Sequence, residues 1–311
     1  MLIVYILLGA LLLYAVAVAL IFHIAFASRP RLGLPRWLGR PAAPSPWETY
    51  RAQMEEGMAW FRSQPLRQVW ITAGDGARLR GRYLACPGSD KAILLVHGYR
   101  SASAESDFAC ALKLYHRMGL NILLVDQRGQ GESQGKLITF GILEREDVAA
   151  WARWLDRTYH PRSILLDGMS MGASSVLMAL ALPLPPSVKG AIADCGFTSP
   201  RAIIAQVMRQ DYRLPPKLLM PGLNWLFRLR TGHSLDEASV PQALAASRLP
   251  VLLIHGEADR YVPFAMGREN AQATPLATLA SVPGAGHGVS FLVDREKCEK
   301  ALDNFIARVI Q

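Results

Sequence analysis

Ser170 lies in a stretch whose residue types suit nucleophilic catalysis. The letters GMSMG place it between Gly168 and Gly172, directly after a short apolar run. Glycines at these two positions are typical of a sharp turn between a strand and a helix, because the turn leaves no room for side chains beside the exposed hydroxyl. The same letters also fit a glycine-rich turn in which the serine only caps a helix. The strand-like run before it and the helical stretch after it favour the nucleophile.

A second feature is a carboxylate and an imidazole in the chain order that such a serine requires. A serine hydroxyl becomes a nucleophile when a histidine takes its proton and a carboxylate fixes the histidine tautomer. Asp259 follows the apolar run VLLIHG, and His287 lies further along in the glycine-rich loop GAGHG, before the last helical stretch. The order serine, acid, histidine suits a serine on a strand-to-helix turn. We therefore predict Ser170 as the nucleophile, His287 as the base and Asp259 as the orienting acid.

Other carboxylates and histidines are alternatives that rank lower. For the acid, Glu257 would need a different loop, Asp194 ends the preceding strand, and Asp126 comes before the serine. Among the histidines, His97 and His255 stand in His-Gly pairs at strand ends, where hydrogen bonding within a loop is the commoner role. The others are predicted to lie in the N-terminal apolar segment or on the surface: His23, His116, His160 and His233.

Two backbone N–H groups are predicted to bind the negative charge that develops on the attacked carbonyl oxygen. One belongs to Met171, directly after the serine. The other comes from the loop after the run AILLVHGYR, where the N–H of Tyr99 can turn inward. Such paired donors are typical of acyl transfer, and the loss of one costs about 3 kcal/mol of transition-state stabilisation.

Sequence motifs for phosphate, metal or redox cofactors are missing. The run DQRGQGESQG has neither the Walker G-K-[ST] nor the G-x-G-x-x-G spacing, and we predict that it forms a tight structural turn. The cysteines are widely separated and form no C-x-x-C pair, so neither a zinc site nor a dense disulfide framework is indicated: Cys86, Cys110, Cys195 and Cys298. We expect no cofactor and no metal.

The first 28 residues contain no charged side chain and are apolar almost throughout. As a helix they would reach about 40 Å, more than the ~30 Å hydrocarbon core of a bilayer. A cleaved signal peptide is the alternative, because Ala25, Phe26 and Ala27 resemble a cleavage site, but the apolar run is long and no basic residue precedes it. Basic residues, which stay on the cytoplasmic side, follow directly: Arg29, Arg31, Arg36 and Arg40. We predict a single-pass anchor in the cell membrane, with the rest of the chain in the cytoplasm.

The formal net charge of +9 lies entirely after this apolar segment. No basic recognition helix and no RNA-binding aromatic motif accompanies the charge, so nucleic acid is not expected as a partner. The positive charge is better explained by attraction of the basic residues to an anionic membrane surface. The sequence leaves the oligomeric state undetermined.

Five short apolar runs alternate with helical stretches through the rest of the chain: AILLVHG, NILLVDQRG, SILLDGMS, GAIADCG and VLLIHGEAD. They are typical of parallel strands that are buried on both faces, with helices above and below the sheet. Two earlier strand-like runs, QVWITA and ARLRGRYLA, meet at a Gly-Asp-Gly turn and predict a hairpin. Helices are predicted over residues 48–62, 104–118, 142–158, 171–182, 264–273 and 293–310. The predicted class is α/β with a doubly wound sheet.

The predicted organisation has three parts. Residues 1–28 form the anchor, 29–47 a linker rich in proline and arginine, and 48–311 a single folded domain. Within that domain, residues 198–247 contain no aliphatic strand, and an insertion that acts as a lid fits this length best. Its apolar side chains would suit an acyl pocket or a bilayer, although packing against the domain is favoured: Met208, Leu218, Leu219, Met220, Leu223, Trp225, Leu226 and Phe227.

The motifs VHGYR, DQRGQGES, GMSMG, HGEADRYVP and GAGHG follow one another in this order. From about Gln68 to Gln311 the chain therefore resembles the α/β-hydrolase superfamily. Within it, the apolar N-terminus and the pairing of DQRGQGES with GEADRYVP are similar to membrane-anchored bacterial hydrolases related to the fungal bud-emergence proteins, and to serine aminopeptidase-type domains. The resemblance implies an eight-stranded, mostly parallel sheet, a lid after the sixth strand, and Ser170, Asp259 and His287 as a triad. It implies no particular substrate.

These features together predict a serine hydrolase that acts on a small acyl substrate. An ester or thioester is favoured over an amide, because its leaving group needs less help. A serine peptidase is the alternative enzyme. A non-catalytic binding module tethered to the membrane is the alternative of another class, since one fold hosts both enzymes and binders.

Overall fold

A computed structural model gives the fold of this protein, which is built on one eight-stranded sheet. It describes residues 1–28 and 46–310. The strands are, in chain order, β1 (Arg67–Thr72), β2 (Arg78–Leu84), β3 (Lys91–Val96), β4 (Asn121–Val125), β5 (Ser163–Met169), β6 (Val188–Asp194), β7 (Val251–Gly256) and β8 (Ala277–Val282). In space they run β1-β2-β4-β3-β5-β6-β7-β8. β2 pairs antiparallel with both of its neighbours, and the remaining pairs are parallel.

Helices cover both faces of the sheet. Along β3, Ile93 and Leu95 point into one hydrophobic core, whereas Leu94 and Val96 point into the other, which explains why the run is apolar without a break. The helices of the described ranges are, in chain order, α1 (Leu2–Phe26), α2 (Pro46–Thr49), α3 (Arg51–Arg62), α4 (Ala104–Asp107), α5 (Leu112–Arg117), α6 (Glu144–Tyr159), α7 (Met171–Ala179), α8 (Pro200–Gln210), α9 (Pro216–Thr231), α10 (Val240–Ala246), α11 (Phe264–Gln272), α12 (Ser290–Val293) and α13 (Arg295–Val309).

The predicted α/β class is confirmed, and so is the hairpin of β1 and β2. Three details differ. The stretch 48–62 is divided between α2 and α3, and the stretch 104–118 between α4 and α5, rather than each forming one helix. No apolar run marks β8, because this edge strand is made largely of small, partly exposed residues. The linker predicted over 29–47 lies outside the described residues as far as residue 45.

Helix α1 has a free part and a packed part. Every residue from 1 to 13 is exposed, whereas Val18, Phe22 and Phe26 are buried against the rest of the protein. The ring of Phe26 lies 5.1 Å from that of Phe227 in α9. By length and composition alone, α1 is a helix that could cross a membrane.

The segment between β6 and β7 folds as three helices, α8, α9 and α10. Its apolar side chains divide into two groups. Most are buried or half-buried and pack in the core: Met208, Leu219, Met220, Leu223, Leu226 and Phe227. Leu218 and Trp225 are instead exposed on the outer surface. Packing against the domain therefore accounts for most of the insertion, and two of the eight side chains need another explanation.

Helix α3 is joined to the domain by a buried carboxylate. Glu105 at the start of α4 accepts hydrogen bonds from Arg62 of α3 and Arg82 of β2, and its side chain is only 5% exposed. Burial acts to raise the pKa of this carboxyl, but the two guanidinium groups outweigh it and lower the pKa to about 2. The charged form of Glu105 is therefore stabilised in the folded protein.

The substitution Glu105→Gln is expected to make the free energy of unfolding fall less steeply as the pH is lowered. Because the pKa is lower in the folded state than in the unfolded chain, the contribution is present above about pH 4.5 and disappears as the pH falls towards 2. Allowing for the exposure of Arg62, we expect the carboxylate to contribute about 2 kcal/mol to the free energy of unfolding. Urea unfolding of the wild type and of Glu105→Gln between pH 6 and 3 measures this contribution. The exposed Glu269→Gln is the control, and parallel curves for wild type and Glu105→Gln would contradict the expectation.

Candidate active site

Ser170 stands at the turn from β5 into α7. The sequence predicts an exposed hydroxyl there, whereas the residue is only 7% exposed. It is the N-cap residue of α7 and has φ 55° and ψ −113°. This left-handed backbone is strained for a residue with a side chain, and such strain persists only where the surroundings impose it. The backbone N–H of Ser170 donates to the carbonyl oxygen of Asp194 on the neighbouring strand at 2.8 Å, which helps to hold the turn.

The two glycines beside the serine are required by close backbone contacts. A Cβ on Gly168 would lie 2.4 Å from the backbone of Gly172. A Cβ on Gly172 would lie 1.9 Å from the carbonyl oxygen of Val96, at the end of β3. Neither contact can be relieved by a side-chain movement, because both involve backbone atoms. The glycines therefore allow α7 to begin directly against the sheet.

The substitution Gly172→Ala is expected to lower the free energy of unfolding by about 3 kcal/mol or more, since the backbone must shift to admit the methyl group. The matched control is Gly74→Ala in the hairpin turn, where a Cβ would meet nothing within 4 Å. Chemical denaturation of the two variants measures the difference. Equal stabilities would show that the turn has more room than the structure gives it.

The structure brings Ser170, His287 and Asp259 together. The Oγ–H of Ser170 donates to Nε2 of His287 at 2.9 Å, and Nδ1–H of the same imidazole donates to Oδ2 of Asp259 at 2.7 Å. These tautomers follow from the partners, since a carboxylate only accepts. Hydroxyl, imidazole and carboxylate thus form one continuous line of hydrogen bonds.

The Asp259 carboxylate is enclosed by donors. Its Oδ1 accepts the backbone N–H groups of Tyr261 and Val262, each at 2.9 Å. Nε2 of His255 lies 3.5 Å from Oδ2 and donates to the carbonyl oxygen of Val262 at 2.9 Å. Burial acts to raise the pKa of Asp259, but the hydrogen bonds from His255 and His287 lower it to about 2. The acid is therefore ionised at any pH at which the protein would work.

The alternative acids do not reach Nδ1 of His287. Asp194 is buried nearby and contacts Ser290 at 3.5 Å, and burial raises the pKa of its carboxyl to about 6. Asp126 lies 3.6 Å from Arg80 and is part of the turn after β4. Glu257 is exposed. The alternative base His97 accepts the backbone N–H of Gln127 at 3.0 Å and thereby holds a loop.

The two proposed oxyanion donors, the N–H groups of Tyr99 and Met171, flank the serine. Gly98 approaches it closely, since a Cβ on that glycine would lie 3.4 Å from Cβ of Ser170. Among residues 1–28 and 46–310, neither N–H has a hydrogen-bond partner. Both are thus available to a ligand, as N–H groups at the beginning of a helix often are.

Contacts that the sequence does not indicate fix the loop that carries Tyr99. Oδ2 of Asp107 accepts the N–H of Gly98 and the hydroxyl of Ser101, both at 2.6 Å. The N–H of Arg100 donates to Oε1 of Gln130, also at 2.6 Å. No local motif marks these partners: Asp107 lies nine residues after Gly98, and Gln130 comes from the separate turn after β4.

The same loop is bonded to the C-terminal turn of α1. Nη2 of Arg100 donates to the carbonyl oxygens of Ile24 and Ala27 at 2.8 and 2.6 Å. The hydroxyl of Tyr99 donates to the carbonyl oxygen of Ala25 at 2.9 Å. The last carbonyls of a helix have no partner within it, so these side chains cap α1.

A cleft of about 660 Å³ opens over Ser170 and His287. This volume lies within the range of roughly 300–1,000 Å³ that is usual for small-molecule sites. Met54 and Met58 of α3 line one wall, and the ring of Tyr261 lies 5.0 Å from that of His287. The cleft therefore has room for a substrate with an apolar part beside the hydroxyl.

Cys195 is a neighbour of the site that the sequence does not place there. Its Sγ lies 4.0 Å from Nε2 of His287, and the two residues together with Asp259 have ligand atoms within 4.8 Å of one another. Burial raises the pKa of the Cys195 thiol well above its usual range, which disfavours the thiolate that a metal prefers. The imidazole and the carboxylate are already bonded to each other. The group is better suited to proton transfer than to metal binding.

Comparisons with known proteins identify the family of this chain. The family described as "Alpha/beta hydrolase family" matches residues 93–301. The uncharacterized protein YqkD of Bacillus subtilis is 27% identical over 239 residues, which are 76% of this chain and 77% of that protein. The uncharacterized protein Rv2307c of Mycobacterium tuberculosis is 30% identical over 247 residues, which are 77% of this chain and 79% of that protein.

Among solved structures, the esterase Pf2001 of Pyrococcus furiosus has a similar fold. The TM-score is 0.64 with 24% sequence identity, over 88% of this chain and 98% of that one. At this identity, the likeness shows the fold only.

Proposed function

The chain belongs to the alpha/beta hydrolase family, and from this premise we propose that it is a serine hydrolase that cleaves an ester or thioester through an acyl-enzyme on Ser170. The observation that carries the proposal is the unbroken line of hydrogen bonds from Ser170 through His287 to Asp259. It supplies a nucleophile, a base and an orienting acid in contact.

The reaction we propose has two halves. In the first, Oγ of Ser170 attacks the substrate carbonyl while its proton passes to Nε2 of His287. The tetrahedral intermediate then collapses, and the leaving alcohol or thiol departs with that proton. In the second half, a water molecule gives a proton to His287 and attacks the acyl carbon. Collapse of this intermediate releases the acid, and the proton returns to Oγ of Ser170.

The N–H groups of Tyr99 and Met171 would bind the oxyanion in both halves. Two preorganised donors at this place are worth about 3 kcal/mol each in acyl transfer. The ionised carboxylate of Asp259 stabilises the imidazolium that forms when His287 holds the proton.

An ester or thioester is proposed because alkoxide and thiolate are easier leaving groups than an amine. The Pyrococcus furiosus protein of similar fold is named an esterase, which makes esters the first substrates to test. A peptidase remains the second candidate, since the same triad cleaves amides in other proteins. Relative rates on p-nitrophenyl esters of increasing acyl length and on aminoacyl anilides distinguish the two.

We propose in addition that α1 anchors the protein in a membrane, with the catalytic domain in the cytoplasm. The length and composition of the helix support the anchor. Its bonds to Tyr99 and Arg100 favour a retained helix over a cleaved signal peptide, because cleavage after Ala27 would remove the acceptors. A reporter fused after Gln311 and found outside the cell would contradict the orientation.

Covalent labelling tests the proposed mechanism. A fluorophosphonate probe should modify wild-type protein at Ser170, as located by peptide mass spectrometry. The Ser170→Ala variant should remain unlabelled. A folded wild-type protein that takes up no probe would contradict the mechanism and favour the non-catalytic binding module.

A further inference from the structure

The outer face of α9 carries an apolar stripe that no described residue covers. Leu218, Trp225 and Leu229 are 60%, 66% and 66% exposed, and the exposed Pro221 lies between the first two. Their spacing along the helix places all four on one face. Single exposed apolar side chains are common, but a row of them on one helix marks a contact surface.

This stripe adjoins the exposed surface of α1. The hydroxyl of Tyr14 donates to the carbonyl oxygen of Leu218 at 3.1 Å and accepts the N–H of Gly222 at 3.2 Å. A Cβ on Gly222 would lie 2.4 Å from that hydroxyl oxygen, so the two helices touch closely here. Between the N-terminus of α1 and Tyr14, the apolar side chains are all exposed. The two helices therefore present one continuous apolar surface.

The length of the free part of α1 determines where this surface lies. Residues 1–13 extend beyond the rest of the protein, and at 1.5 Å per residue they reach about 20 Å. The hydrocarbon core of a bilayer is about 30 Å thick. The helix can cross only if about 10 Å of its packed part, which begins at Tyr14, also lies below the membrane surface. The packed part lies against α9, so α9 must enter the membrane with it.

The charges around the stripe suit that position. Lys217, Arg228 and Arg230 are exposed on α9, and the helix contains no acidic residue. The guanidinium of Arg230 lies 6.0 Å from the ring of Phe22 in α1. Tryptophan on an apolar face with basic residues at its sides is typical of helices at the membrane interface. The positive charge complements an anionic lipid surface.

We propose that α9 lies in the interfacial layer of an anionic bilayer, alongside α1, with Leu218, Trp225 and Leu229 among the lipid chains. The proposal rests on the membrane anchoring proposed above. It gives the insertion between β6 and β7 a second role, as a lipid-binding element that is separate from its packing on the domain.

Quenching of tryptophan fluorescence by brominated lipid tests the proposal. The full chain is reconstituted in vesicles of phosphatidylcholine and phosphatidylglycerol, with bromine near either the glycerol end or the methyl end of the acyl chains. The variant is Trp225→Phe. The matched control is Trp154→Phe, which removes a half-buried tryptophan that packs against Trp151 in α6. Both variants keep six tryptophans of the seven.

We expect quenching of the wild type to be stronger with bromine near the glycerol end. Trp225→Phe should reduce the quenched emission by about half, whereas Trp154→Phe should leave it unchanged. Equal quenching in all three proteins would overturn the proposal, while failure of the wild type to associate with vesicles would instead overturn the anchor. If Trp225 were not quenched, and a chemical cross-linker joined two copies of the wild type but not of Trp225→Phe, the proposal would also be overturned, in favour of a second copy of the chain.

Discussion

Replacing Ser170 by alanine is expected to lower kcat/KM for an activated ester by about 10⁴-fold or more, because the nucleophile of a triad acts as a unit with its base. The residual rate comes from the oxyanion donors and from substrate binding, neither of which the substitution removes. Within residues 1–28 and 46–310 the hydroxyl forms a hydrogen bond only with His287, so the fold should be retained. Hydrolysis of p-nitrophenyl esters measures the rate, and thermal unfolding checks the fold.

The exposed Ser63→Ala is the control for this variant, since its hydroxyl, directly after α3, donates to the carbonyl oxygen of Trp60 and accepts from Nε2 of the adjacent Gln64. It should keep wild-type kinetics. If Ser170→Ala kept more than about a tenth of the wild-type kcat, covalent catalysis at this residue would be excluded.

The second large effect is expected for Asp259→Asn, with a fall in kcat of about 10³ to 10⁴-fold and little change in KM. The amide presents a donor where the imidazole also donates, so His287 adopts the wrong tautomer and Nε2 can no longer take the serine proton. Two backbone N–H groups, from Tyr261 and Val262, would still find the remaining oxygen of the side chain. Geometry is therefore largely kept while proton transfer is lost.

Two further substitutions isolate this effect. Asp303→Asn changes an exposed carboxylate on α13 and should leave kcat unaltered. Asp194→Asn changes the buried carboxyl beside the triad, which does not bond to Nδ1 of His287, and should lower kcat far less than Asp259→Asn. A larger loss of kcat in Asp194→Asn than in Asp259→Asn would show that Asp194, and not Asp259, is the orienting acid.

The proposed catalytic residues could be predicted because each is marked locally. Ser170 is flanked by glycines, Asp259 follows the apolar run of a strand at its carboxyl end, and His287 lies in the glycine-rich loop GAGHG before the last helical stretch. His255, Asp107 and Arg100 carry no such mark. Asp259 and Gly98, which His255 and Asp107 contact, are near in the chain but at spacings that follow no known motif. Arg100 bonds to Ile24, which is remote in the chain, and only the folded structure brings the two together.

The same distinction holds for the fold. The buried strands are unbroken apolar runs and could be located from them, whereas β8 lies at the edge and is partly exposed, so it needs no such run. The packing of α1 on α9 could not be predicted, because a helix that is apolar on every side gives no indication of which side meets protein. Tyr14 is one of three polar side chains within it, with Tyr5 and His23, and it indicates the contact only once Leu218 is known to lie opposite.

The capping of α1 by Tyr99 and Arg100 has a practical consequence for enzymology. Deleting the N-terminal helix is the common route to a water-soluble sample, but here it would strip three acceptors from the loop that would cradle the reacting oxygen. Turnover recorded on such a shortened protein would come from a molecule whose oxyanion loop has lost these hydrogen bonds. Detergent or nanodisc preparations of the intact polypeptide are the appropriate material for judging its substrates.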